Sequence, residues 1–338
     1  MSDFQREKLL IRDYTAAFDA SLHTDPEKTL LDYVTRDYCW RGVHPFYESE
    51  GAEAVVERFW NPLSTSIRHI QRREDIFFAG RNIYRDIQEV WTCSMGHFMG
   101  LFDKNWLDIP ATRKVVFLPY AEFHRVEGEK IAETALFIDI IRVTQQAGLN
   151  PVPQQTAAPI VQPGPRTHDG ICLDMSDPAE SQKTLDLLDE MVSDLSELNV
   201  SGNDHCPPEF LARTWHEDMI WYGPAGIGTT YTIPRYQEQH QYPFRSSLTH
   251  KVFNGHVTRI AEGNYAGWFG WPNLYNVNKG GFLGLPGSDM RAEMRIVDIY
   301  RRNGDRLAEN WVFIDLLHYC TQHGVDLLKN PDALQHAS

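Results

Sequence analysis

The 338-residue sequence has five cysteines (Cys39, Cys93, Cys172, Cys206 and Cys320), an odd number with no C-x-x-C spacing. That excludes a disulfide framework and a cysteine zinc site. Basic charge is also scarce: 32 Lys and Arg stand against 46 Asp and Glu, and neither half of the chain is basic. Nucleic-acid binders draw affinity from phosphate neutralisation, so no nucleic-acid partner is expected, nor docking on an anionic membrane. No apolar run approaches the roughly 18 residues of a spanning helix. The opening residues MSDFQREKLL carry charge where a signal peptide needs an apolar core. The simplest expectation is a cytoplasmic protein. There is no G-x-G-x-x-G after a strand, no P-loop, no G-x-S-x-G elbow and no H-E-x-x-H. Neither a cofactor nor a metal is therefore expected.

Core-forming residues are plentiful. The chain is 42% hydrophobic and 12% aromatic, enough for more than one buried core. Its length suggests two domains. The clearest boundary is 151–165, PVPQQTAAPIVQPGP, which holds five prolines and no charge. Each proline removes a donor and fixes φ, so the run reads as an extended linker. The expected organisation is a first domain over 1–150, a proline-rich linker over 151–168 and a second domain over 169–338.

The ends of the two halves match without a gap at a constant offset. Identities include Leu107/Leu283, Pro110/Pro286, Arg125/Arg301, Gly128/Gly304, Glu133/Glu309, Phe137/Phe313, Asp139/Asp315 and Gly148/Gly324. Such a match indicates an internal duplication. The elements agree as well. Leu10, Tyr14, Phe18 and Leu22 recur at helical spacing, and Asp25-Pro26 caps a second helix. Asp177-Pro178 starts a helix in the second half, and 207–211 reads as a short one. Strands are expected at 115–125 and 130–139, and again at 291–301 and 306–315. Glu127-Gly128 and Asn303-Gly304-Asp305 mark the turns between them. Helices first and an antiparallel meander later make an α+β class.

The stretch Tyr-Arg-Arg-Asn-Gly-Asp-Arg-Leu-Ala-Glu-Asn-Trp-Val-Phe-Ile-Asp, followed by Gln-His-Gly, resembles the C-terminal signature of SnoaL-like polyketide cyclases. These belong to the nuclear transport factor 2-like superfamily. The resemblance is strong over 282–326 and weaker over 106–150. It implies two tandem cones, each a curved antiparallel sheet wrapped on three helices around an apolar pocket. It also implies cofactor-independent acid/base chemistry on a small or medium apolar carbonyl compound, by a single carboxylate matching Asp315 or Asp139. Such domains often dimerise through their sheets. The resemblance therefore implies an internal pseudo-dimer and leaves a further homo-oligomer open. A non-catalytic ligand-binding role, or hydrolase or dehydratase chemistry in the same pocket, are the alternatives.

Strand parity puts Glu309, Trp311, Phe313 and Asp315 on one face. If that face lines the cone, burial raises the Asp315 pKa toward a general base. Asp315 and Asp139 also precede short helical runs, where an aspartate is a natural N-cap. Trp311 aligns with Ala135, and Tyr265–Trp271 is aromatic-rich, so the second half is the expected active domain. Trp268, Trp271, Tyr222 and Asp298 are candidate substrate contacts with Trp311 and Phe313. His240 and His216 are candidate proton-relay residues, with His44 and His97 in the first half. Asp298 aligns with Glu122, and either face of that strand could be inward. The run KGGFLGLPG (279–287) reads as a loop near the pocket.

Overall fold

The helical spacing of Leu10, Tyr14, Phe18 and Leu22 yields α1 (Gln5–Ser21), which buries Ile11, Tyr14 and Phe18. Asp25 caps α2 (Pro26–Tyr33) by accepting from Lys28 N–H, with Pro26 in the first turn. The computed structural model describes residues 4–84, 88–153, 156–201 and 205–334. Contacts divide the chain into two units. One comprises Met1–Leu149 with Pro163–Met175, the other Asn150–Gln162 with Ser176–Ser338.

In the first unit β1 (Val34–Gly42) and β2 (Tyr47–Glu50) follow the helices. Next come α3 (Ala52–Val55), a π-helical turn Val56–Trp60 and α4 (Asn61–Ser66). Four strands finish the sheet: β3 (Ile67–Arg81), β4 (Val90–Phe102), β5 (Val115–Glu127) and β6 (Lys130–Ile138), before α5 (Ile140–Gln146). The order is β2-β1-β6-β5-β4-β3. β3 to β6 form the expected meander. β1, however, pairs parallel with β6, so the sheet is mixed rather than purely antiparallel. The helical connection from 52 to 66 allows β1 and β6 to meet in the same sense.

The second unit repeats this plan. α6 (Pro178–Ser201) starts at Asp177, whose carboxylate accepts from Ala179 N–H, and α7 (Pro208–Leu211) follows. Then come β7 (Trp215–Tyr222), β8 (Thr229–Tyr231), α8 (Ile233–Tyr236), a π-helical turn Gln237–Gln241 and α9 (Tyr242–Ser247). The strands are β9 (Leu248–Phe253), β10 (Thr258–Glu262), β11 (Tyr265–Phe269), β12 (Leu274–Asn278), β13 (Arg291–Met294), β14 (Ile296–Asn303) and β15 (Arg306–Ile314), and α10 (Leu316–Gln322) closes the unit. β7 pairs parallel with β15, as β1 does with β6. The long strands of the first unit are interrupted here, giving a six-stranded sheet β10-β11-β14-β15-β7-β8 and a three-stranded sheet β13-β12-β9.

Gly270 and Asn273 make the interruption. Asn273 turns its side chain back, and its Oδ1 accepts from Ile296 N–H at 2.7 Å. A Cβ on Gly270 would lie 2.4 Å from Asn273 Cγ, so only glycine fits. Pro272 supplies no ladder donor at the same point.

Among its described residues the proline-rich run forms no helix and no named strand, and it is no free spacer. Ala158 bridges to Thr229 on β8, and the buried Gln162 amide faces the carbonyls of Tyr222, Gly223 and Val312. In the first unit Phe77 N–H donates to Gly170 O, and Cys172 N–H donates to Phe77 O, both at 2.8 Å. The buried Lys8 ammonium donates to the carbonyls of Cys172 and Asp174. Gln154 and Gln155 of the expected linker lie outside the described residues.

The first unit has a buried ionic centre. Arg72 Nη1 donates to Glu122 at 2.7 Å, and the Asp19 carboxylate lies 3.3 Å from Arg72 Nε. The guanidinium sits over Phe98 and Tyr120. His124 Nε2 is 3.5 Å from Glu122, and its Nδ1 meets Thr134 Oγ1 at 2.9 Å. Burial pushes the Glu122 pKa up, but Arg72 and His124 more than offset this and hold it at about 2. Asp19 shifts the other way, raised by its own burial.

A carboxylate with a depressed pKa stabilises the fold above its ordinary pKa, and this contribution disappears as pH falls toward the folded value. Glu122 should therefore stabilise the first unit at pH 6 and lose that contribution between about pH 4.5 and 2. Arg72→Met leaves the buried carboxylate without its guanidinium, and should cost about 3–5 kcal/mol in chemical denaturation at pH 7. A loss below about 1 kcal/mol would contradict this assignment.

Candidate functional site

At the position of Glu122 the second unit has Asp298, and there the surroundings differ in kind. Asp298 lies on β14 opposite Trp268 on β11, and Tyr300 lies opposite Asn310 on β15. Period 2 therefore brings all four to one face. Trp268 Nε1 donates to Asp298 Oδ2 at 3.1 Å, and the Tyr300 hydroxyl donates to Oδ1 at 3.2 Å. Asn310 Nδ2 donates to Oδ1 at 3.4 Å. The equivalent first-unit positions are Ser94, His124 and Thr134, with Arg72 added.

These side chains face a cavity of about 290 Å³ lined mostly by aromatic and aliphatic groups. α6 contributes Met191 and Leu195, the π-helical turn His240, and the three-stranded sheet Phe253 and Leu274. Burial pushes the Asp298 pKa up, and the three neutral donors recover only part of this, leaving it at about 6. None of the three donors is a cation, so the carboxylate keeps part of the desolvation cost.

Two histidines line the same cavity. His240 stacks on Trp221 with ring centroids 3.9 Å apart, and His256 stacks on Trp268 at 4.8 Å. Burial pushes both down to about 3, with Arg259 adding to the shift at His256, so both are neutral at physiological pH. Asn273 Oδ1 accepts from Ile296 N–H, and its Nδ2 lies 3.4 Å from His256 Nδ1.

The sequence-derived candidates divide sharply. Asp298, Trp268 and His240 line the cavity. Asp315 does not: its carboxylate caps α10, accepting from His318 N–H at 3.2 Å, and lies 4.0 Å from Arg295 Nη1. Asp139 caps α5 in the same way through Arg142 N–H. The expected face of β15 is corrected by one residue. Asn310, Val312 and Ile314 line the cavity, while Glu309, Trp311 and Phe313 turn the other way. On that face Glu309 pairs with Arg301, and Trp311 stacks on Tyr222, which is also outside the cavity. Parity was right, but a strand buried on both faces gives no clue to which face is hollow. Trp271 lies under the Arg295 guanidinium at 4.0 Å rather than in the cavity. His216 lies at the β7 edge, with Nε2 2.8 Å from Asn303 O. In the first unit His44 meets the Tyr47 hydroxyl, and His97 lies 3.7 Å from Asp75. The loop 279–287 does not line this cavity.

Trp221, Tyr236, His256, Asn273 and Asn310 were not foreseen. A signal existed for part of this. Trp40-Arg41-Gly42 and Trp221-Tyr222-Gly223 repeat each other, and so do the π-helical turns. The fourth residue of that turn is Phe59 in the first unit, packed on Trp40, and His240 in the second, stacked on Trp221. A histidine replacing a core phenylalanine is a mark of altered use.

No protein-family model matches the sequence, and no curated protein matches it. Among solved structures, a SnoaL-like protein from Shewanella denitrificans is 16% identical, covering 43% of this chain and 97% of its own, with a TM-score of 0.34. A nuclear transport factor 2-like protein from Burkholderia xenovorans is 12% identical, covering 42% and 95%, with a TM-score of 0.33. A nuclear transport factor 2-like protein from Anabaena variabilis is 18% identical, covering 41% and 93%, with a TM-score of 0.30. Each likeness spans part of this chain. Among the described residues no helix is long and apolar enough to cross a membrane.

The raised pKa of Asp298 has a stability consequence. Between about pH 4 and 6 the unfolded chain releases this proton first, so the contribution of Asp298 to stability is full below that window and falls as pH rises through it. Thermal unfolding should show this decline in the wild type. Asp298→Asn should remove it, raising Tm relative to wild type at pH 7 but not at pH 4. An unchanged slope in the variant would mean that Asp298 titrates normally.

Proposed function

We propose that the second unit is an acid/base site that acts without a cofactor on a small or medium apolar carbonyl compound. The observation that carries this reading is Asp298: a carboxyl group facing an aromatic cavity, held by Trp268, Tyr300 and Asn310, with a pKa of about 6. A base near pH 6 is ionised at pH 7, yet binds a proton about a hundredfold more tightly than an ordinary aspartate. That suits removal of a proton from carbon next to a carbonyl. The three donors fix the carboxylate without neutralising its charge, as a guanidinium would.

His256 supports the same reading. Burial keeps it neutral, and it lines the cavity beside the indole that holds Asp298. A neutral imidazole N–H can polarise a carbonyl oxygen and stabilise the developing enolate without protonating it outright. In this mechanism Asp298 takes the α-proton, the enolate oxygen rests on an N–H donor, and the aromatic walls exclude water. Returning the proton to another carbon gives isomerisation. Attack of the enolate on a second carbonyl of the same molecule gives ring closure of the aldol type.

The test is α-hydrogen exchange of an aryl ketone in heavy water, followed by proton NMR. Wild-type protein should accelerate exchange, with a rate that rises with pH through about 6 and then levels off. Asp298→Asn should lose at least about 100-fold of the acceleration while still binding the ketone. Binding with no exchange in the wild type would instead favour a purely ligand-binding role.

A further inference from the structure

The second unit holds another cavity, of about 120 Å³, and His240 and Phe244 line both. Two rings thus form a shared wall. They are not held alike. His240 lies flat on Trp221 with centroids 3.9 Å apart, whereas Phe244 makes looser contacts, 5.5 Å from His240 and 5.8 Å edge-on to Phe282. Phe244 and His240 are both half-buried, so it is the ring contacts and not exposure that set Phe244 apart.

The smaller cavity, labelled outer, differs from the larger, labelled inner, in the residues that line it. Ile227, Phe282 and Leu283 give it apolar walls. The turn over Phe282–Gly284 brings main chain to its surface, with φ of 91° at Gly281, 55° at Leu283 and 77° at Gly284. Gly281 and Gly284 offer main chain rather than a side chain at this wall, and the cavity is less than half the volume of the other. The inner cavity, by contrast, is broad and walled by Trp215, Trp221 and Trp268.

We infer that the two cavities are two chambers of one binding site divided by Phe244, and that the ligand has two parts: a planar apolar head bearing the carbonyl in the inner chamber, and a slender alkyl chain in the outer one. The carbonyl rests on the acid/base reading of Asp298. The division of the ligand rests on the shared wall alone. On this view Phe244 sets how long a chain the site accepts.

Ketones from acetophenone to octanophenone test this, through quenching of tryptophan fluorescence in the full chain. In the wild type each added methylene beyond the butyl ketone should tighten binding about fourfold, the ordinary gain for a buried methylene. Phe244→Ala should bind octanophenone at least tenfold more tightly than wild type, a larger change than it makes for acetophenone. Ser247→Trp, a substitution at a half-buried residue lining only the outer cavity, should abolish the chain-length gain and spare acetophenone. Equal changes for both ketones in Phe244→Ala would overturn the proposal. So would a chain-length gain that survives Ser247→Trp, or no binding of either ketone. If the binding series holds but no α-hydrogen exchanges, the Asp298 chemistry fails and the two-chamber site stands.

Discussion

A carboxylate buried inside a curved sheet must be neutralised, or hydrogen-bonded and left costly. The two halves of this chain take opposite courses at the same strand position. Glu122 receives a guanidinium, its pKa falls to about 2, and the surrounding space is taken up by Phe98, Tyr120 and Trp60. Asp298 receives an indole, a phenol and an amide, its pKa rises to about 6, and it faces a hollow. One choice makes a core; the other preserves a titratable group.

The hollow has two local causes. The first is the break at Gly270–Asn273, where strands that run unbroken in the first unit split into two sheets. The second is the residue at the fourth position of a π-helical turn that both units share, Phe59 against Trp40 in one and His240 against Trp221 in the other. An extra residue in a helical turn re-aims a side chain, and such turns are common at functional sites. Neither feature changes the order of elements. The duplicated plan is thus kept while the interior of the second copy is opened.

Much of the fold was legible in the sequence, because the repeat and the hydrophobic spacing are local signals. The helices at Leu10–Leu22 and after Asp25 and Asp177, and the hairpins at Gly128 and Gly304, all follow from neighbours in the chain. The parallel pairing of β1 with β6 was not legible, since it depends on which distant strand completes the sheet. The site was half legible. Asp298, Trp268 and His240 are legible as candidates, but which face of β15 is inward is not, because Trp311 and Phe313 are as apolar as Val312 and Ile314. Asp315 carries the signature position and caps a helix. Its short-range role, bonding to the third amide onward, is the one its sequence context states most directly.

The most direct test is a carbon-13 NMR titration of the Asp298 carboxyl, assigned by comparison with Asp298→Asn. The account predicts a transition near pH 6 that belongs to Asp298. A transition near pH 4 would place the carboxylate in contact with solvent or a cation, and would contradict the account.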